Sequence, residues 1–175
     1  MLRNVHTADL DPAEARRIRV LLDGAFEDGF DDADWEHCLG GLHVLGYAGG
    51  DLVAHAAVVQ RRLLYRGRAV RTGYVEGVAV GAEHRGRGHA AAVMTEAERI
   101  IRQAYEIGAL SSSHDAVGLY LARGWIAWQG PTFVLGPAGP VRTPEDDDSV
   151  YVFPVTSGVD ITQALACDWR DGDVW

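Results

Sequence analysis

Tyr74-Val75-Glu76-Gly77-Val78-Ala79-Val80, followed by Arg85-Gly86-Arg87-Gly88-His89-Ala90 and a long apolar-periodic run, decides the reading of this 175-residue chain. An apolar strand passes through a glycine-rich turn into a helix. The first N–H groups of a helix lack intrahelical acceptors and lie at the positive end of its dipole, so an anion is stabilised there. Gly86 and Gly88 put no Cβ between phosphate oxygens and those amides, and Arg85 and Arg87 add charge. The expected ligand is a pyrophosphate. Glycine is also common turn punctuation, so the pair alone is a weak signal.

Spacing excludes two other phosphate loops. A P-loop ends in Lys-Ser/Thr, and this chain has no lysine. A dinucleotide fingerprint needs a third glycine where Ala91 stands, and an acid about twenty positions later, where only Glu106 comes near, at the expected helix end.

Working outward, residues 5–10 alternate as a strand, and Asp11-Pro12 starts a helix with apolar positions Ile18, Leu21, Leu22 and Phe26, ending near Gly29. Asp31 or Asp32 caps a second helix, which Gly40-Gly41 stops. Residues 42–48 and 52–64 read as a hairpin around Gly49-Gly50-Asp51, and Arg66-Gly67-Arg68 turns into a strand over 69–80. The long helix is expected over 88–107, ended by Gly108, then a strand over 109–113. Asp115 caps a brief helix through Arg123, and strands over 125–135 and 150–155 close the chain. The order β-α-α-β-β-β-α-β-α-β-β predicts one α/β domain over residues 1–175, its mixed, mostly antiparallel central sheet flanked by helices.

Bulk properties narrow the function. Hydrophobic content of 47% and charged content of 23% are ordinary for a soluble globular chain. No apolar run nears the roughly eighteen residues of a membrane span, and no signal pattern is visible, so the cytoplasm and no membrane partner are expected. Cys38 and Cys167 suit neither a disulfide framework nor a metal site, and no histidine pair has ligand spacing, so no metal is expected. The net charge of −9 is uneven, with arginines concentrated between Gln60 and Arg123 and acids on both flanks. Without a broad basic face, a nucleic-acid partner is not expected. The pattern suits one polyanion held centrally and a cation drawn to the flanks, although acidic runs can also simply solvate a surface.

Arg-x-x-Gly-x-Ala after an apolar strand, in this strand order, resembles the acetyl-CoA loop of the GNAT superfamily of N-acetyltransferases, nearly chain-wide. That resemblance implies acetyl-CoA as cosubstrate, with backbone amides of Val78, Ala79 and Val80 on the pantetheine arm and thioester carbonyl, and residues Arg85, Gly86, Arg87, Gly88, His89 and Ala90 on the pyrophosphate. Acetyl transfer to an amine needs a base, a polarised carbonyl and an acid for the thiolate. Glu76 interrupts an apolar strand beside an expected bulge at Gly77 and is the candidate base. Its other reading is a solvent-face strand glutamate. Tyr120, followed by Leu121-Ala122-Arg123-Gly124-Trp125, resembles the family tyrosine that protonates the coenzyme sulfur; its other reading is core packing. A phenol near about 10 and a thiol near about 8.5 make that transfer reasonable. Ser111-Ser112-Ser113 closes a strand whose end faces the cleft, where Ser113 caps the next helix.

Three acidic sets are available to converge on an amine substrate: residues 28–36; Glu145, Asp146, Asp147 and Asp148; and Asp168, Asp171 and Asp173 with the carboxylate of Trp175. The segments Asp34-Trp35-Glu36-His37, Gly108-Ala109-Leu110-Ser111-Ser112-Ser113, Asp146-Asp147-Asp148 and Cys167-Asp168-Trp169-Arg170-Asp171-Gly172-Asp173-Val174-Trp175 resemble the aminoglycoside 2′-N-acetyltransferases of mycobacteria. This implies transfer to the 2′-amino group of drugs such as gentamicin and tobramycin, with Asp28, Asp34, Glu76, Gly77, Ser111, Glu145, Asp146, Asp173 and Trp175 on the substrate. The family aspartate of Ala-Phe-x-x-Asp-Phe is displaced, since Gly29 holds its place and Asp28 precedes it. A homodimer is implied as well, and residues 150–155, as the last strand, pair with a second chain if they form a sheet edge. A cell-wall amino sugar, a polyamine or a protein amine stays open as acceptor, as does a non-catalytic acyl-CoA-binding or drug-sequestering module.

Overall fold

A computed structural model of the chain describes residues 1–27, 29–112 and 116–175. The chain packs as two compact units, residues 1–59 with 75–100, and residues 60–74 with 101–175.

The first unit opens with β1 (Leu2–His6), then a tight turn at Thr7–Asp9. The strand expected over residues 5–10 is thus shorter and earlier. His6 accepts the Ala8 amide and the Thr7 hydroxyl accepts that of Gly40, so short polar side chains draw the backbone into a turn. Helix α1 (Pro12–Phe26) starts as expected, with the Asp11 carboxylate accepting the Ala13 and Glu14 amides. Helix α2 (Asp32–His37) begins in a capping box made by Asp31 and Asp34. The hairpin is β2 (Leu42–Ala48) against β3 (Asp51–Tyr65), with β1 on the other edge of β2. Helix α1 lays Ile18 and Leu22 on Val5, Cys38, Leu45, Ala57 and Ala79, an apolar core closed to water.

In the second unit, the turn between β3 and β4 (Arg68–Val80) is Arg66-Gly67, both with positive φ, which suits a two-residue hairpin turn. Helix α3 (His89–Ala104) is shorter than expected, because strand β5 (Ile107–Ser111) begins early and runs parallel to β4. Gly108, expected to end the helix, lies inside β5 opposite Gly73. A Cβ on Gly73 would come within 2.7 Å of Tyr105, and one on Gly108 within 3.2 Å of Ile101. The two glycines form a flat seat for the end of α3.

After α4 (Val117–Leu121) the expected strand over 125–135 is split into β6 (Ile126–Ala127) and β7 (Thr132–Gly136). Gly130 between them has no room for a side chain, since a Cβ would stand 1.9 Å from the Gln163 carbonyl oxygen. Two unexpected strands follow: β8 (Gly139–Arg142) beside β7, and β10 (Leu165–Asp168), parallel to β7 and antiparallel to β3. Pro140 suits an edge such as β8, because it has no ladder N–H to give. β9 (Val150–Pro154) is neither the last strand nor an edge, being paired with β5 on one side and β6 on the other. It therefore cannot offer the free edge expected for a second chain. Among the described residues no helix is long and apolar enough to cross a membrane.

Candidate active site

In the first unit the decisive backbone is that of Gly77. Its φ is +56, a left-handed value, so the expected irregularity in β4 is present. A Cβ there would lie 2.8 Å from Cys38 Sγ and 3.3 Å from Leu22. Glu76, Gly77 and Val78 are half-buried, between the buried Val75 and Ala79. The Gly77 carbonyl oxygen is 2.7 Å from His55 Nδ1, and His55 Nε2 is 2.9 Å from His43 Nδ1. His43 Nε2 in turn meets the Thr7 hydroxyl at 2.9 Å. Both imidazoles are fully buried, and burial lowers His43 to about 4 and His55 to about 3.

These two rings make folding acid-sensitive. In the folded state they stay neutral, whereas in the unfolded chain they protonate below about 6.5, so the unfolded state binds more protons as pH falls. Stability is therefore full above about pH 6.5 and falls as pH drops toward 4. His43 going from 6.5 to about 4 corresponds to roughly 3 kcal/mol. Urea midpoints at pH 7, 5.5 and 4.5 should fall in that order, less steeply in His43→Asn. A flat profile would remove the neutral buried pair from the account.

The glycine-rich turn belongs to the same unit. Gly86 and Gly88 have φ of +72 and +81, and a Cβ on either would meet nothing within 4 Å, so that side of the loop is open. Helix α3 starts at once, its first closing bond running from the Ala92 amide to the Gly88 carbonyl. The preceding amides have no intrahelical acceptor. Arg85 is a brace rather than a free charge, donating to the carbonyls of Val80 (3.4 Å) and Ala25 (3.2 Å). Arg87 is exposed, and His84 meets His89 edge-on at 5.9 Å, with a buried Nδ1 that has no hydrogen-bond partner. Open positive-φ glycines, helix amides and an orphaned ring nitrogen fit a pyrophosphate.

The second unit holds Tyr120 and most of the acids. Tyr120 is buried on α4 against Trp125 and Tyr151, and burial pushes its phenol up to about 12. The Ser111 hydroxyl donates to Ser149 Oγ (3.0 Å), which donates to the Asp146 carbonyl (3.1 Å). Burial raises the Asp146 carboxyl above its ordinary range, and nearby Glu145 and Asp173 raise it further. Trp175 is buried, its indole N–H donating to Thr143 Oγ1 at 3.1 Å on the turn that carries Glu145 and Asp146. Thr143 Oγ1 donates to Thr132 Oγ1 (3.0 Å), which lies 2.9 Å from Asp147.

Two of the expected acids are already spent. Asp147 is gripped by Arg142, which holds its carboxyl down at about 2, and Asp168 is paired with buried Arg61 at 2.7 Å. Arg61 also donates to the Val174 carbonyl, and Arg170 to the Asp173 carbonyl and to the Trp175 carboxylate, so two arginines pin the tail. Both guanidinium groups lie over the ring of Tyr74, at 4.6 and 5.5 Å. In the first unit Asp34 accepts the Asp31 amide in its capping box. Asp28, Ser113 and Asp115 lie outside the described residues. His43 on β2 and His55 and Arg61 on β3 have no role legible in the sequence, because both strands read as apolar runs. A polar residue breaking those runs was the available signal.

Residues 7–127 match the family model described as an acetyltransferase (GNAT) domain. A relative from Mycolicibacterium fortuitum, named aminoglycoside 2′-N-acetyltransferase, is 56% identical over 99% of this chain and 91% of its own. Among solved structures, the GNAT family N-acetyltransferase YhbS of Escherichia coli, in complex with CoA, superposes with a TM-score of 0.66 at 18% identity, covering 95% of this chain and 88% of that one. Escherichia coli ElaA gives a TM-score of 0.62 at 16% identity, over 87% and 98%. With a family model matching most of its length and a close relative nearly end to end, the chain belongs to the GNAT family of acetyltransferases.

Proposed function

We propose that this protein transfers the acetyl group of acetyl-CoA to the 2′-amino group of aminoglycoside antibiotics. The observation that carries this reading is the acidic turn of the second unit, where Asp146 sits close enough to Glu145 and Asp173 for their charges to raise its pKa. Clustered carboxylates repel one another, and an approaching polycation relieves that repulsion while being steered to the site. The buried indole of Trp175, hydrogen-bonded to the same turn, gives a sugar ring a rigid wall. The name of the Mycolicibacterium fortuitum relative supports the same acceptor.

Bound acetyl-CoA supplies an acyl carbon activated as a thioester. The amides at the start of α3, with Gly86 and Gly88, hold the pyrophosphate, and those of Val78, Ala79 and Val80 serve the pantetheine arm and the thioester carbonyl. Glu76 takes a proton from the substrate ammonium, directly or through a water. Asp146, Asp173, Ser111 and Trp175 hold the aminoglycoside, and Asp28, Asp34, Glu145 and the Gly77 backbone complete the proposed contacts. Tyr120 keeps its proton throughout the neutral range. Its raised pKa makes full transfer to a thiolate of about 8.5 cost roughly 5 kcal/mol, so it acts first as a hydrogen-bond donor to sulfur. A cytoplasmic homodimer completes this reading.

The test is regiochemical. Acetyl-CoA-dependent modification is expected for aminoglycosides with a 2′-amine, such as tobramycin, and none for the 2′-hydroxyl analogue kanamycin A. Mass spectrometry of the products reads the outcome directly, and equal turnover of both would sink the assignment.

A further inference from the structure

We infer that His55, held by His43 and Thr7, is a positioning residue that locks the Gly77–Val78 peptide so that the Val78 N–H faces the thioester carbonyl. The inference rests on the acetyl-transfer reading above for what the amide serves. Its geometry stands on the first unit alone.

The direction of every proton in this chain follows from chemistry. A carbonyl oxygen only accepts, so at 2.7 Å from the Gly77 oxygen His55 Nδ1 must carry the hydrogen. His55 Nε2 is then an acceptor, and the donor 2.9 Å away is His43 Nδ1–H. His43 Nε2 is left as an acceptor, filled by the Thr7 hydroxyl at 2.9 Å, while Thr7 Oγ1 takes the Gly40 amide at 2.9 Å. One tautomer of each ring satisfies all these atoms, and reversing either leaves two lone pairs or two hydrogens facing each other.

The far end of the chain is what matters. No peptide in the described residues is cis, so the Gly77 carbonyl and the Val78 N–H point in opposite directions within one rigid plane. His55 pulls the carbonyl into the core, and the N–H is therefore turned outward from it. Donation to the carbonyl also polarises the peptide and strengthens its N–H as a donor. Only a glycine permits this setting, since φ is +56 and Cys38, Leu22 and His55 crowd the place of a Cβ. Two fully buried imidazoles in a core of Ile18, Leu22, Leu45 and Ala57 are a costly way to fill space. What they add over apolar side chains is direction.

The experiment compares wild type with His55→Leu, which lacks the donor, and His55→Asn, whose amide nitrogen can stand where Nδ1 stood. Ring 15N shifts of the wild type at neutral pH should show both His43 and His55 as Nδ1–H tautomers. This needs no variant to fold, and an Nε2–H tautomer at His55 would overturn the inference. The Val78 amide proton resonance in the free protein should move upfield in His55→Leu and return most of the way in His55→Asn. With substrates, kcat should fall about 10- to 100-fold in His55→Leu and recover to within about 5-fold in His55→Asn, while the Kd for CoA, which has no acyl carbonyl, stays unchanged. An unmoved Val78 resonance, or equal kcat losses in the two variants, would overturn it. Failure of the wild type to acetylate any amine, with the spectra as expected, would instead refute the acetyl-transfer reading and leave the peptide lock standing.

Discussion

Replacing Glu76 with glutamine is expected to lower kcat about 10²- to 10⁴-fold, the usual worth of a positioned general base. Glutamine keeps the volume and can still accept a hydrogen bond, but it cannot take a proton from an ammonium at neutral pH. Glu76 is half-buried on β4 directly before Gly77, whose carbonyl is anchored from below by His55. The loop from Arg85 to Ala90 is untouched by the change, so the Kd for CoA should stay within about 2-fold, and urea midpoints should hold within about 0.5 kcal/mol. Steady-state rates with a 2′-amino aminoglycoside, together with CoA titration, separate these quantities. Full activity in the variant would remove Glu76 as the base. A loss confined to KM would recast it as a substrate contact.

The second large effect concerns stability. Gly77→Ala should destabilise the fold by about 2–5 kcal/mol, from two additive causes. A left-handed φ of +56 costs an ordinary residue about 1–2 kcal/mol. The new methyl would press on Cys38 Sγ at 2.8 Å, Leu22 at 3.3 Å and His55 at 3.4 Å, all fully buried, and overpacking of this kind costs about 1–3 kcal/mol. Gly86→Ala is the control, because its φ is also positive but a Cβ there meets nothing within 4 Å. It should cost only the backbone part. Equal urea midpoints for the two variants would contradict the steric account. At Gly86 the larger effect should be on CoA binding, since the methyl enters the open side of the loop.

The features legible from the residues were those that depend on near neighbours in sequence. The cap at Asp11, the second cap to within Asp31 or Asp32, the two hairpin turns, the irregularity at Gly77 and the loop at Gly86-Arg87-Gly88 all follow from local backbone preferences. Membership of the acetyltransferase family was legible for the same reason, because its motif is a short strand–loop–helix. Strands β8 and β10 were not. Each is four residues long and finds its partner only after the chain has folded back, β10 lying parallel to β7 thirty-three residues earlier in sequence.

Charge shows the same division more sharply. Composition marks the chain as acidic and its tail as rich in aspartate, but it does not tell which carboxylates are free to meet a cation. That depends on the folded neighbours: Arg61 pairs with Asp168 across 107 residues, and Arg142 with Asp147, while one oxygen of Asp34 accepts the Asp31 amide. What remains is Asp146, whose carboxyl is raised by burial and by the charges of Glu145 and Asp173 beside it. The strand and loop from Tyr74 to Ala90 thus carry the resemblance to the acetyltransferase family within one short local motif. The orientation of the Gly77–Val78 peptide, the pinned tryptophan and the usable acids are tertiary properties, because hydrogen bonds and Coulomb energies depend on distances that only the folded chain sets.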